Sequence, residues 1–581
     1  YTIPSRLANS WRLKASSQIV PCILYIVAYM KHTSNLERAI AFTAQHLQAP
    51  LSLDFKKVFW DVETGKYSTV RESLDSYLDG WRDYSVEFIE SFHLIESSLY
   101  EPSEDRRIQI LERSLQVILE GVYEKMLKYT HEVRSPLTNL YMLGIVLPTL
   151  GLALLPLAST LLGGAFQWYH VFLLFNMIIP FFVFYLTNEI MLKRPGGYGE
   201  TNLLEMNPLY PQYKSRKPYL KAFIICFPLL IIGLLPLIFQ YTPIPELFGL
   251  EKDYTFQQIG ISLLGENKLF DFKNGAGPFG LLALVLSLFI PLAIALFFSI
   301  SYKLKSRELI KEREHSKQLE REFASSLFQL GNRLGDGMPA EVAFSRLLES
   351  SRGLVTENFF KIVNTNIQSM GMSLEQAIFN QKRGAIIYYP SALISISMKI
   401  LIESAKKGLQ VAARSLMSIS EYIKNIHKIN ERLHDLLAEV VSDMKSNMTF
   451  LAPLLAGIVV GLSGMIAMIL NKLEYLKAVT AGGDAASMGG GLAGALKIFN
   501  LGDMIPAYYL QISVGIFLVE IVFILTATLV TVDSGEDKLK RIYDTGNNLL
   551  LGIGLYLITA LIAIVALSLL AVLAIVPSLG G

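Results

Sequence analysis

The sequence predicts an all-α, polytopic membrane protein with about seven transmembrane helices and two repeated cytoplasmic helical bundles. Three observations predict it. Hydrophobic residues make up 52% of the chain and charged residues only 18%, against about 25% charged in ordinary soluble domains. The apolar excess is gathered into blocks as long as the roughly 20 residues that a membrane-crossing helix needs. Between these blocks lie two stretches as charged as a soluble protein, with apolar residues at helical rather than alternating spacing.

Taken in order, residues 1–139 read as a first bundle. Gln18 to Met30 is apolar but too short to span, and no small-residue cleavage pattern follows it, so it reads as a buried core helix. Ile40, Phe42, Leu47, Phe55, Val58 and Phe59 mark amphipathic faces, and Gly80, Pro102 and Pro136 mark turns or helix ends. Four spans follow within 140–302, at about 140–163, 168–192, 218–242 and 277–302. Residues 303–448 read as a second bundle. It opens on Lys303 to Arg321, where both charge signs recur at spacings of three and four, as on a solvated helix continuing from the fourth span. Val342, Phe344, Leu347 and Leu348 give it an amphipathic face; Gly335, Gly353 and Pro390 give it turns. Three more spans fill 449–581, at about 449–470, 507–530 and 546–576.

Orientation follows from the cations beside the spans. The loop 193–217 carries Lys193, Arg194, Lys214, Arg216 and Lys217 against Glu200 and Glu205, which places it in the cytoplasm. The loop 243–276 carries Glu246, Glu251, Asp253, Glu266 and Asp271, which places it outside. Counting from there puts both charged stretches on the cytoplasmic side of a cell membrane. The glycine-rich loop with Gly482, Gly483, Gly489, Gly490 and Gly491 falls outside.

The two charged stretches also resemble each other. Glu37 to Phe42 parallels Pro339 to Phe344; Lys66 to Glu72 parallels Gly371 to Ala377; Gly144 to Gly151 parallels Gly457 to Gly464. The separations run from about 300 to 313 residues. Two helical bundles, each leading into a membrane helix, resemble the type II secretion F-domain family, the inner-membrane platform proteins of type IV pilus, type II secretion and archaellum machines. The residues that carry the resemblance are Gly371 to Ala377 and Pro453 to Gly464. In the first copy Lys66 and Tyr67 stand where the second has Gly371 and Met372. The central four-span insert, 140–302, resembles the archaeal branch. The resemblance implies a scaffold rather than an enzyme, a hexameric secretion ATPase docked on the cytoplasmic side, pilin or archaellin subunits received in the membrane, and a homodimer.

The chemistry-bearing motifs are few. A net charge of +2 gives no case for nucleic-acid binding. Cys22 and Cys226 form no pair motif. Gly65-Lys66-Tyr67 lacks the glycine and the hydroxyl of a phosphate loop, and His131-Glu132 lacks the second histidine of a zincin. His427 and His434 lie seven apart without a third ligand. No cofactor or metal is expected. Glu520 sits near the middle of a span, where a carboxyl is costly; it reads as a hydrogen-bonded protonated group or as a polar contact with a neighbouring or incoming helix. Gly457 and Gly461 form a small-xxx-small pair that packs helices closely, within the chain or in a dimer. Proline recurs in the spans, at Pro148, Pro156, Pro180, Pro228, Pro236, Pro291 and Pro453, where each can kink its helix. Lys214, Arg216, Lys217, Lys382 and Arg383 are candidate ATPase-facing charges. A transporter or channel is the rival reading; it would want several buried charges and repeats of equal span number.

Overall fold

The structure is a computed structural model that describes residues 2–31, 33–47, 49–161, 167–191, 194, 210–258, 268–272, 277–389, 391–481, 504–535 and 537–575. Lys193, Glu200, Glu205, Glu266, Pro390 and the five glycines of the 482–491 stretch lie outside the described residues. Among those described, every regular element is helical, and one isolated bridge joins Thr255 to Lys268.

Seven helices are long and apolar enough to cross a membrane: Glu104–Leu161, Trp168–Met191, Lys217–Tyr241, Leu281–Gly335, Glu431–Leu470, Ala507–Ser534 and Lys538–Ala571. They are called spans 1 to 7 below. Spans 1, 4 and 5 run far beyond the bilayer thickness because each is continuous with a bundle helix. The expected boundaries at 139/140, 302/303 and 448/449 therefore fall inside unbroken helices rather than at linkers. Span 6 is the central one, 67% buried, whereas span 3 is 22% buried and turns Leu220, Phe223, Ile224 and Ile225 outward. Apolar side chains facing lipid carry no penalty there.

The first bundle is built by helices Ile19–Met30, Leu36–His46, Leu51–Glu63, Val70–Asp79, Val86–Ser97 and Glu104–Tyr141. Ile19, Ile23, Ile26 and Met30 are buried against Ile40, Phe55, Leu74, Phe88 and Phe92, so the 19–30 segment is a core helix of this bundle. The second bundle is built by the end of the Phe289–Gly335 helix and by Ala340–Ser350, Thr356–Gln368, Leu374–Phe379, Ala392–Ala405 and Leu409–Ser446. Phe323, Phe344, Phe359 and Phe360 are fully buried at its centre, with ring centroids 5.4 to 6.0 Å apart; each contributes roughly 1.5–3 kcal/mol by leaving water.

Helix starts in the two sets run in step. Leu36, Leu51, Val70, Val86 and Glu104 stand against Ala340, Thr356, Leu374, Ala392 and Leu409, displaced by 304, 305, 304, 306 and 305 residues. Thr69 and Ser373, at the same displacement, each cap a helix by accepting from the backbone N–H three residues on. The sequence matches were close to this register but not in it. A displacement of 304 sets Ile40, not Phe42, opposite Phe344, and the displacement of 305 sets Gly144 opposite Thr449 rather than Gly457. Short apolar runs look alike after a shift of a helical turn or two, which is the source of the slip. The left-handed turn that Gly371 makes, at φ +63°, is made in the first set by Gly65, at φ +76°, so the glycine is present there but earlier.

Two further expectations change. Val342 is exposed, and the buried stripe of its helix is Ala340, Ala343, Phe344 and Leu347. Pro136 ends no helix: it lies within Glu104–Tyr141, held between the buried Val133 and Leu137.

Three of the span prolines act through a widened turn. Five-residue π-helical turns occupy Met142–Val146, Leu174–Ile178 and Asn447–Leu451, and Pro148, Pro180 and Pro453 each follow two residues later. Proline has no N–H and its ring collides with the carbonyl four residues back. Widening the preceding turn moves that carbonyl aside while the helix continues.

The bundles lie at the same end of the spans. Arg134 and Glu439, at equivalent points of the two 38-residue helices, meet at 2.6 Å. The helices then descend side by side, the second into span 5 beside span 1. The bundles also touch directly. Tyr25 and Ala28 of the first are part of the second core, and His46 Nε2 lies 2.9 Å from Lys399 Nζ while its Nδ1 lies 2.6 Å from the Phe42 carbonyl. Donation from Lys399 and to Phe42 fixes a neutral Nδ1–H imidazole. Burial, and then the Lys399 charge, hold the proton affinity of His46 below the ordinary 6.5, against the Phe42 bond that favours the cation. The unfolded chain therefore takes up a proton near pH 6.5 that the folded one refuses. We expect the melting temperature to fall as pH drops from about 7.5 to about 5.5, and the slope to be shallower in His46→Gln. Equal slopes in the two proteins would remove His46 as the cause.

Candidate functional site

Several charged groups meet at the foot of the bundles, on the turn that joins span 6 to span 7. Gly535, at φ +78°, lets the chain reverse there. Asp537 then caps the following helix, its Oδ1 accepting from the Lys540 N–H at 2.9 Å, while its Oδ2 takes Arg313 Nη1 at 2.6 Å. Asp533 accepts from Lys540 Nζ, from Ser534 Oγ at 2.8 Å and from His434 Nδ1 at 3.2 Å. Arg194, beyond the end of span 2, donates from Nε to the Val532 carbonyl at 3.2 Å and is buried. Burial pulls its guanidinium below the usual value, and Tyr129 and Asp533 oppose that shift.

One short turn is thus tied to three elements: the Phe289–Gly335 helix through Arg313, the Leu409–Ser446 helix through His434, and span 2 through Arg194. Two cavities flank it. One, of about 360 Å³, is lined by Lys317, Glu320, Arg321, His427, His434 and Asp533, among others; the other, of about 520 Å³, includes Lys303, Lys445, Asp533, Lys540, Asp544 and Asn548. Both signs of charge line each. His427 is held below the ordinary histidine value by burial and then by the neighbouring Arg321. This is an electrostatic joint: paired charges bridge elements, and the Ser534 hydroxyl stands between Lys540 Nζ, at 2.7 Å, and the Asp533 carboxylate.

The sequence reading reached only parts of this joint. It singled out His427 and His434 as a pair and the Lys303 to Arg321 run as a solvated helix, and both border the first cavity. It passed over Asp533, Asp537 and Lys540. The local signal available was an Asp-Ser-Gly-Glu-Asp-Lys turn between two spans, a reversal whose acidic groups need partners.

The other candidates are placed as follows. Gly457 and Gly461 face span 7 within the chain: a Cβ at Gly457 would lie 2.8 Å from Ala560 N, and one at Gly461 2.5 Å from Ala563 Cβ. Glu520 points inward, its Oε2 buried and without a hydrogen-bond partner among the described residues. Lys214, Arg216 and Lys217 have exposed side chains, on a turn pinned by Lys305, whose Nζ lies 4.8 Å from the Tyr213 ring and 5.2 Å from that of Tyr219. Lys382 and Arg383 are exposed on a turn of the second bundle, their N–H groups donating to Asn380 Oδ1 at 2.9 and 3.3 Å. The two basic turns lie on separate elements.

Asp75, His93 and Glu96, on the first bundle, bring ligand atoms within 4.8 Å of one another. Arg71 Nη2 lies 3.5 Å from Glu96 Oε2 and already supplies that carboxylate with a positive charge.

Fold and site together define an all-helical chain with seven candidate membrane spans and a charged joint beneath two helical bundles. No protein family, curated protein or solved structure matches it.

Proposed function

We propose that this chain is the membrane platform of a type IV filament or type II secretion-like assembly machine, with both bundles in the cytoplasm of a cell whose membrane it crosses. The observation that carries the reading is the matched pair of helix sets. Each ends in a 38-residue helix that passes into a span through a five-residue widened turn, and the two helices are clasped by Arg134 and Glu439. The bundles are then two copies of one F-domain-like unit. The exposed cations at Lys214, Arg216 and Lys217 favour the cytoplasm for that side and, with Lys382 and Arg383, form docking charges for a hexameric secretion ATPase.

On this reading the protein makes and breaks no bonds of its own. The ATPase moves the bundles, and the long helices carry the movement into the membrane, where pilin or archaellin helices are received and passed to the filament base. A homodimer would double the docking surface. In a strain lacking the gene, electron microscopy is expected to show loss of one class of surface filament, restored on complementation. Unchanged filaments of every class would overturn the proposal.

A further inference from the structure

Buried polar atoms in a membrane interior need partners, because leaving one unpaired there costs several kcal/mol. Three on one seam lack a partner among the described residues: Asn176 Oδ1 and Thr187 Oγ1 on span 2, and Glu520 Oε2 on span 6. Asn176 and Thr187 are 7% and 6% exposed. Spans 2 and 6 run parallel in contact, as shown by the Trp168–Tyr509 ring stack, the Asn176 Nδ2–Ser513 Oγ bond at 3.1 Å and the Arg194–Val532 bond. Helical spacing settles the faces. Glu520 is seven residues after Ser513 and so shares its face toward span 2. Thr187, one turn after Val183, which packs on Gly144 of span 1, lies on the buried face that span 2 turns to spans 1 and 6.

The two ends of this seam differ. Above Glu520 the Asn176–Ser513 bond and the edge-on rings of Phe175 and Phe517, 6.4 Å apart, close it. Below Glu520 come Thr187, then the buried Tyr129 hydroxyl, which has no partner among the described residues, then Arg194 and the cavity at Asp533. From Glu520 to Asp533 is about 20 Å along the helix. Water is the small molecule that can donate to a carboxyl and an amide oxygen and serve a hydroxyl in one narrow passage.

We infer that a water-filled half-channel runs between spans 2 and 6 from the Asp533 cavity to Glu520, through which the Glu520 carboxyl exchanges its proton with solvent on the bundle side. The proton leaves Oε2 to the adjacent water, passes along the chain to bulk solvent, and returns the same way. The inference stands apart from the filament reading and needs no partner protein.

Cysteine accessibility in the full-length protein tests it, since a thiol reacts as its thiolate and needs water to ionise. The native Cys22 and Cys226 are both buried, so the parent protein gives the baseline. The probe is a small cationic methanethiosulfonate applied from the bundle side. Thr187→Cys and Glu520→Cys are expected to label about tenfold faster than Leu525→Cys, which faces away from the seam and is 1% exposed. Thr187→Cys is close in size and carries the test alone if Glu520→Cys fails to fold. Labelling of Thr187→Cys no faster than Leu525→Cys would overturn the half-channel.

Discussion

Replacing Asp537 with alanine is expected to destabilise the protein by about 3–5 kcal/mol, the range for removing one partner of a buried ion pair. The Asp537 side chain is 5% exposed and that of Arg313 17%. Without the carboxylate the guanidinium stays in a low-dielectric setting and loses this counter-charge. The span 7 helix also loses its cap, worth about 1 kcal/mol. Asp537→Asn separates the two effects: the amide oxygen can still cap Lys540 N–H, so the variant should recover the cap but not the ion pair and fall between parent and alanine. Thermal unfolding of the purified protein in detergent measures the series. An alanine variant within about 0.5 kcal/mol of the parent would mean that the turn is not held by this pair.

The second large effect is expected at the contact between spans 5 and 7. Gly461→Leu should cost about 3 kcal/mol, at the upper end for forcing atoms into a filled space. Even the first carbon of the new side chain would lie 2.7 Å from the Ala563 carbonyl carbon. Backbone cannot move aside as a side-chain tip can, so the helices must separate along their length. Gly554 is the control. It lies on span 7 with nothing within 4 Å of a Cβ, and Gly554→Leu should leave the melting temperature close to that of the parent. Equal losses from both substitutions would show that the contact between spans 5 and 7 is not the cause, since helix propensity favours leucine over glycine at both positions.

The spans were legible in the sequence because a bilayer imposes its own length on apolar runs. The starts of spans 2, 3 and 6 were placed within a residue of where the helices begin, at Trp168, Lys217 and Ala507. An amphipathic face in each bundle was legible through Phe55, Val58, Phe344 and Leu347, all buried as their spacing implied. The charged joint was not. Arg313 and Asp537 are 224 residues apart, and His434 and Asp533 are 99 apart. Nothing local in either segment says which cation meets which carboxylate. That choice is made by the packing of span 4 against span 7 and of the Leu409–Ser446 helix against span 6, which a single sequence does not display. The seam polar groups were half legible: Glu520 stood out by its charge, whereas Asn176 and Thr187 gain their meaning only from the helix opposite.

The widened turns before Pro148 and Pro453 have a consequence for what each long helix can face. An α-helix advances about 100° per residue, so one added residue rotates everything beyond it by that angle relative to everything before. The apolar stripe that serves the bundle and the stripe that serves the bilayer can thus be out of phase on one continuous rod, with the correction made where water gives way to lipid. The same correction stands at the same place in both helices, displaced by 305 residues from Met142 to Asn447. A single residue deleted from one turn would restore ordinary winding there with both faces still aimed as before, whereas one deleted elsewhere in the rod would turn the half beyond it by about 100°.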